Sequence, residues 1–389
     1  MRLIDDRERS TRLGRRHFLA APGRDVTTVA GGMVGLHSSD PTTVYLSARS
    51  RLEDFEIPHL EDALYVRKTL VRMLGMRRTM FVVPVDLAAV MDAACTQALA
   101  PPERRRLATM LEEQGIAEDG QAWVDEVESA TLAALGRLGE ATAAQLTREV
   151  PELAEKLAFG EGKKWAGTMG VSTRILFLLA TEGRIVRGRP LGSWLSSQYR
   201  WAPTATWLDG PLPVVDEAEA RAELLRRWLG TFGPGTETDL RWWTGWTAAK
   251  TRAALQDVGA VPVQLDGGTG YVLADDVDPV PAVEPWAALL PGLDPTVMGW
   301  KERSWYLGPH GDLLFDRNGN AGPTVWWDGR IVGGWALTGD GEVVWRTLED
   351  LGSDAEARIA SEADRLTTWL GGARVIPRFR APFEKELAD

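Results

Sequence analysis

One arrangement recurs three times along this chain and constrains its fold more than any other feature. A helical stretch, a stretch with turn signals, a third helix and a short hairpin follow one another in each copy. In the first copy, residues 59–74 (HLEDALYVRKTLVRML) have the apolar spacing of an amphipathic helix. Residues 75–84 (GMRRTMFVVP) follow with strand composition and stop at Pro84. In the second, residues 125–138 predict a helix and 141–150 a shorter one. Residues 171–183 (VSTRILFLLATEG) predict a third, closed by Gly183. Residues 184–201 (RIVRGRPLGSWLSSQYRW) then run through a Gly-Arg-Pro turn to an aromatic return strand. In the third, helices are expected over 217–229, within 236–245 and over 246–259. A hairpin follows around Asp266-Gly267-Gly268.

Helix, short helix, helix and hairpin is the order of a winged-helix unit, whose third helix usually enters the DNA major groove. Double-stranded DNA is therefore the expected partner. The alternative is three small α+β units packed for another purpose, such as protein contacts. After residue 285 the chain becomes rich in Gly, Trp and Val, with turn signals at 308–311, 317–320, 328–329 and 339–341. Short strands between such turns predict an antiparallel sheet or small barrel. Residues 354–370 then read as a helix, and 373–387 (ARVIPRFRAPFEKEL) as an extended basic-aromatic tail. The expected fold is α+β: winged-helix units over 1–122 (with a basic N-terminal helix), 123–212 and 213–284, then a β-rich domain over 285–389.

Charge qualifies the DNA expectation. The net charge is −11 at pH 7, which counts against a large nonspecific nucleic-acid surface but not a local one. Basic residues cluster at 2–24, 67–78 and 184–200, while the acidic excess lies over 103–155 and the C-terminal third. No stretch approaches the roughly 18 apolar residues of a membrane span. The first twenty residues lack an apolar signal core, so secretion is not expected. The single cysteine, Cys95, excludes an internal disulfide framework, and a reducing cytoplasm is the expected location. His17, His37, His59 and His310 have no metal-ligand spacing, and no nucleotide-binding glycine pattern opens a helix. Neither metal nor cofactor is expected.

Several segments are similar to one family. They are GLHSSDP (35–41), TLVRMLGMRRTMFVVP (69–84), DLRWWTGW (239–246), LLPGLDPTVMGWKERSW (289–305) and LFDRNGNAGPTVWWDGRIVGGW (314–335). Through them nearly the whole chain resembles the bacterial winged-helix DNA glycosylases of the AlkZ and YcaQ type. The resemblance implies a C-shaped body around duplex DNA. It implies cleavage of the N-glycosidic bond of alkylated or bulky purine adducts, in repair or in self-resistance to DNA-damaging natural products. Its catalytic element is Gln-x-Gln or Gln-x-Asp. The matching positions here are His37 and Ser39, so the mechanism does not transfer directly.

Glycosidic hydrolysis passes through an oxocarbenium-like sugar. An N7-alkylated purine already carries positive charge, so the enzyme must chiefly place a water. Neutral His37 can accept a proton from it, and Ser39 can hold that water or a phosphate oxygen. A bland reading leaves His37 bonded to backbone at a domain junction and Ser39 at a helix entry. Asp40 is either a catalytic carboxylate or the N-cap of a helix whose first residue is Pro41. Candidate DNA-binding residues are Arg16 on the first helix; Arg72, Arg77 and Arg78 at the end of the 59–74 helix and start of its hairpin; and Arg184, Arg187 and Arg189 along the wing. Salt bridges or a solvated face are the alternatives. Asp294, Lys301, Glu302 and Arg303 either position the duplex or stabilise a domain interface. No lysine stands out as a Schiff-base former, so no lyase step is expected. The expected function is a monomeric, monofunctional glycosylase for alkylated or bulky N7-purine adducts. The competing readings are a non-catalytic DNA-binding regulator or lesion sensor, and a protein-binding scaffold.

Overall fold

The computed structural model describes residues 1–160, 162–163 and 165–389. The first helix, Asp6–Arg16, starts at Asp5, whose carboxylate accepts the Glu8 amide at 2.8 Å. Helix Val26–Gly32 leads into the short strand β1 (Leu36–His37), then helices Pro41–Arg49 and Ile57–Tyr65. The expected 59–74 helix ends at Tyr65, and Lys68 takes a left-handed φ of 53°. Leu70–Leu74 is strand β2, antiparallel to β3 (Met80–Pro84) from Leu70↔Pro84 to Leu74↔Met80. Apolar spacing misleads here because β2 is buried at all five positions. A strand covered on both faces reads as a continuous apolar run and carries no alternation to distinguish it from a helix. Arg72 therefore lies inside a sheet instead of at a helix end.

Helices Ala100–Glu113, Gly120–Leu138 and Ala143–Glu149 follow. A hairpin that the sequence did not suggest, β4 (Lys156–Phe159) with β5 (Gly167–Gly170), precedes helix Val171–Thr181. Gly183 ends that helix with φ 66°, as expected. The return hairpin is β6 (Ile185–Pro190) with β7 (Tyr199–Pro203). Its strand β6 also pairs with β2, giving one five-stranded sheet in the order β1-β3-β2-β6-β7. Two hairpins far apart in sequence thus cover each other's inner edges.

Helices Glu217–Phe232, Glu237–Thr244 and Ala248–Asp257 precede hairpin β8 (Val261–Leu265) with β9 (Gly268–Val272). The C-terminal part is an antiparallel sheet of β10 (Ala287–Leu290), β11 (Thr324–Trp327), β12 (Arg330–Leu337) and β13 (Val343–Thr347), in that order. Helix Ser353–Leu370 packs on it. The tail expected to be extended ends instead in helix Pro382–Ala388, with Pro382 in its first turn and Phe383 buried beside Gly334. One apolar core joins residues of the first helices, the 217–257 helices and the C-terminal sheet. A second is centred on Leu111, Val124, Ile175 and Leu179. No described helix is long and apolar enough to cross a membrane.

Candidate active site

β1 pairs with β3 through Leu36↔Val82 and His37↔Phe81. That register sets the His37 ring edge-on to Phe81, with centroids 5.3 Å apart. His37 is 5% exposed. Burial, then the positive charge of Arg77, pushes its pKa down to about 4, so the imidazole is neutral at physiological pH. The Ser39 amide points at His37 Nδ1 across 3.5 Å. Ser39 is half-buried, and its Oγ accepts weakly from the Met80 amide at 3.4 Å. Asp40 caps helix Pro41–Arg49: Oδ1 accepts from the Thr42 amide at 2.9 Å and the Thr42 hydroxyl at 2.7 Å. Its other oxygen accepts the Arg378 amide at 2.8 Å, and Arg378 Nη1 donates to the Ser39 carbonyl at 3.3 Å. The C-terminal tail therefore clamps the loop that holds His37 and Ser39.

The candidate arginines divide into two groups. Arg16 bonds Asp276 at 2.6 Å and the Gly233 carbonyl at 2.9 Å. Arg78 pairs with Glu103 at 2.9 Å, Arg189 with Glu61 at 3.0 Å, and Arg184 with Glu128 at 3.7 Å and Glu182 at 3.8 Å. Internal acids thus hold these four. Arg72, Arg77 and Arg187 gather around the His37 loop instead. Arg72 is 1% exposed and donates from Nη1 to the hydroxyls of Ser38 and Tyr199, each at 2.6 Å. Arg187 lies over the rings of Tyr199 and Trp201, at 5.4 and 5.1 Å. Arg77, in the β2–β3 turn with φ 52°, lies 3.9 Å over Trp242, whose ring also carries Arg303 at 5.2 Å. Trp194, Trp243 and Trp246 are buried in the core.

Two openings lie on this side of the molecule, and only the second is lined by a residue of the His37–Asp40 loop. One, of about 390 Å³, is lined by Arg187, Gln198, Tyr199 and Trp201; the other, of about 490 Å³, by Asp40, Arg374 and Arg378. Ser197 borders both. Arg378 was missed from sequence because nothing local links it to Asp40, 338 positions away. The basic tail was visible, but its docking site was not.

The family model described as DNA glycosylase AlkZ-like matches residues 30–369. The chain belongs to the AlkZ-like DNA glycosylase family. Among the curated proteins none matches. Among solved structures, the Streptomyces sahachiroi DNA glycosylase AlkZ is similar in fold, with TM-score 0.72 and 21% identity over 96% of this chain and 99% of that one. Membership in the AlkZ-like family makes DNA the substrate.

Within this AlkZ-like chain, two segments that carry the family resemblance form internal ties. Buried Asp239 accepts the amides of Lys301 and Glu302, each at 2.8 Å, and so fastens DLRWWTGW to GWKERSW. Asp294 accepts from Arg51 Nη2 at 2.6 Å and Ser47 Oγ at 2.7 Å, fastening GLDPT to helix Pro41–Arg49. His17 is buried beside it and bonds Thr296 Oγ1 through Nδ1 at 2.8 Å.

Proposed function

We propose that this AlkZ-like protein is a monofunctional DNA glycosylase that hydrolyses the N-glycosidic bond of alkylated or bulky N7-purine adducts in duplex DNA. Its helix-and-hairpin units act as tandem winged helices that surround the duplex in a C-shaped arrangement. The observation that carries the reading is His37: a buried, neutral imidazole next to Ser39, in a loop bordered by arginines. The Ser39 amide pointing at Nδ1 assigns the lone pair to Nδ1 and the proton to Nε2. In this reading Ser39 Oγ holds the water beside the basic nitrogen. As the cationic purine departs, the sugar gains oxocarbenium character. The water attacks the anomeric carbon and gives its proton to Nδ1, whose lone pair leaves its long 3.5 Å contact with the Ser39 amide as the water comes in. Asp40 acts by position, capping the helix and docking Arg378 so that the loop stays in place. Arg77, Arg187 and Arg378 supply positive charge for the DNA strand, and a monomer suffices.

The test is base release from duplex DNA carrying N7-methylguanine or a bulky N7-guanine adduct, read as alkali-labile breaks. His37→Ala is expected to lower the rate roughly 100-fold, the low end of a general-base contribution. Undiminished release by His37→Ala would move the chemistry away from His37. No release by the parent protein, with tight salt-sensitive binding, would favour a lesion sensor.

A further inference from the structure

Among the described residues three arginines are 1% exposed: Arg12, Arg51 and Arg72. Arg12 pairs with Glu8 and Asp276, each at 2.8 Å, and Arg51 with Asp294 at 2.6 Å. Arg72 has no carboxylate partner: it bonds the hydroxyls of Ser38 and Tyr199 and lies 4.5 Å over the Tyr199 ring, and although burial lowers its pKa, Tyr199, Tyr65 and Tyr45 outweigh that and leave it above the usual value. The imbalance falls on its cross-strand neighbour. The register that joins β2 to β6 places Arg72 directly opposite Arg187, and like charges in that position repel. No ion pair or hydrogen bond among the described residues involves the Arg187 guanidinium, and its Nε is buried without a partner. Burial, then repulsion from Arg72, pushes the Arg187 pKa down to about 10. Arg378 adds a third cation that repels Arg187.

Holding two guanidiniums side by side without a counterion costs free energy; hydroxyls and the ring faces of Tyr199 and Trp201 contact them, but no carboxylate among the described residues pairs with either. The arrangement is accounted for if an anion enters from outside. The way in is the opening of about 390 Å³ that Arg187 and Tyr199 line, beside the one that Arg378 lines. Asp40 borders the second opening, where its oxygens accept from neutral donors, the Thr42 amide and hydroxyl and the Arg378 backbone amide, and it makes no hydrogen bond to the Arg187 guanidinium.

We propose that Arg187, backed by Arg72 and faced by Arg378, forms the seat of one DNA phosphodiester, the one flanking the nucleotide whose glycosidic bond is cut. A guanidinium matches a phosphate with two parallel N–H donors. A phosphate here brings negative charge between cations that otherwise repel. It also reaches the chemistry mechanically, because Arg72 bonds Ser38, which lies between His37 and Ser39. The choice of nucleotide rests on the proposed glycosylase function; the phosphate seat itself rests on the unpaired charge.

The experiment uses a duplex with an uncleavable tetrahydrofuran abasic analogue and neutral methylphosphonate linkages placed singly along the damaged strand. Binding is read by fluorescence anisotropy for the parent protein, Arg187→Gln and Arg187→Lys, and thermal melting is followed for each free protein. One linkage position should weaken the parent protein roughly tenfold or more, the range of a charge-assisted hydrogen bond. Arg187→Gln should bind the all-phosphate duplex that much more weakly and lose no more at that position, while Arg187→Lys retains part of the sensitivity. Free Arg187→Gln should melt no lower than the parent, since it loses a repelled cation. Equal sensitivity at every position in parent and Arg187→Gln overturns the seat, as does a lowered melting temperature with unchanged binding. If Arg187→Gln does not fold, the exposed Arg378→Gln carries the same scan, and full retention of the sensitive position then overturns the seat. Because the analogue cannot release a base, a sensitive position without base release elsewhere would sink only the glycosylase reading.

Discussion

Two buried arginines lie near opposite ends of helix Pro41–Arg49, and the protein treats them differently. Beyond the C-terminal end, Arg51 is enclosed by Asp294, Thr296 Oγ1 and the Ser47 carbonyl at 2.6–2.9 Å. Burial alone would raise the Asp294 carboxyl, but the Arg51 charge overrides it and leaves its pKa below the usual value. By the N-terminal loop, Arg72 faces Arg187 and is held by the hydroxyls of Ser38 and Tyr199 and the Tyr199 ring face, with no carboxylate among the described residues. The first cluster balances its charge within the chain and ties the GLDPT segment to the N-terminal core. The second leaves positive charge without a carboxylate beside the openings that Arg187 and Arg378 line. Carboxylate pairing thus separates an arginine that holds the fold from one placed for an anion.

The largest effect expected from this contrast is at the paired cluster. Arg51→Met strands the Asp294 carboxylate, and breaking one side of a buried pair costs about 3–5 kcal/mol, read by urea unfolding. A cost near zero would erase the distinction between the clusters. Smaller per pH unit is the effect of acid, because each cluster has a neutral histidine beside it. Burial, then Arg51, holds the His17 pKa near 3, and burial, then Arg77, holds His37 near 4. An unfolded histidine titrates near 6.5. Between these values the unfolded chain binds protons that the folded one refuses. Stability should be flat above about pH 6.5 and fall as pH drops toward 4, by up to roughly 1.4 kcal/mol per pH unit for each histidine. Thermal melting across this range checks the sign, and His37→Gln should flatten the slope. Base release should hold from pH 8 to 5 and fail near 4, where His37 protonates. The smallest effect expected is at the unpaired cluster. Arg72→Met loses two hydrogen bonds but leaves no orphaned acid, so it should cost about 1–2 kcal/mol. A loss as large as that of Arg51→Met would show that Arg72 holds the fold after all.

Much of the local structure was legible. Asp40-Pro41 announced a helix start, Gly183 a helix end and Asp266-Gly267-Gly268 a hairpin turn, and the structure has all three. The misreadings were of another kind. Residues 70–74 kept helical apolar spacing although they are strand β2, since burial on both faces removes the alternation that identifies a strand. The β4–β5 hairpin lies in a polar, Gly-rich stretch without apolar periodicity. Helix Pro382–Ala388 was hidden by the extended basic run before it. At the candidate site, His37, Ser39 and Asp40 could be named from the motif position alone. Arg378 could not, and neither could the fate of the candidate arginines.

Caps, turns and periodicity were readable by themselves because each depends on residues a few positions apart and on backbone geometry that short windows encode. The tertiary structure alone decided which cations have counterions. Arg16 found Asp276 and Arg51 found Asp294 across more than 240 positions, while Arg72 met another arginine. Charge pairing acts over a few ångströms of space and is blind to distance along the chain, so a basic cluster in the sequence becomes either a structural tie or an open anion seat only when the chain has folded.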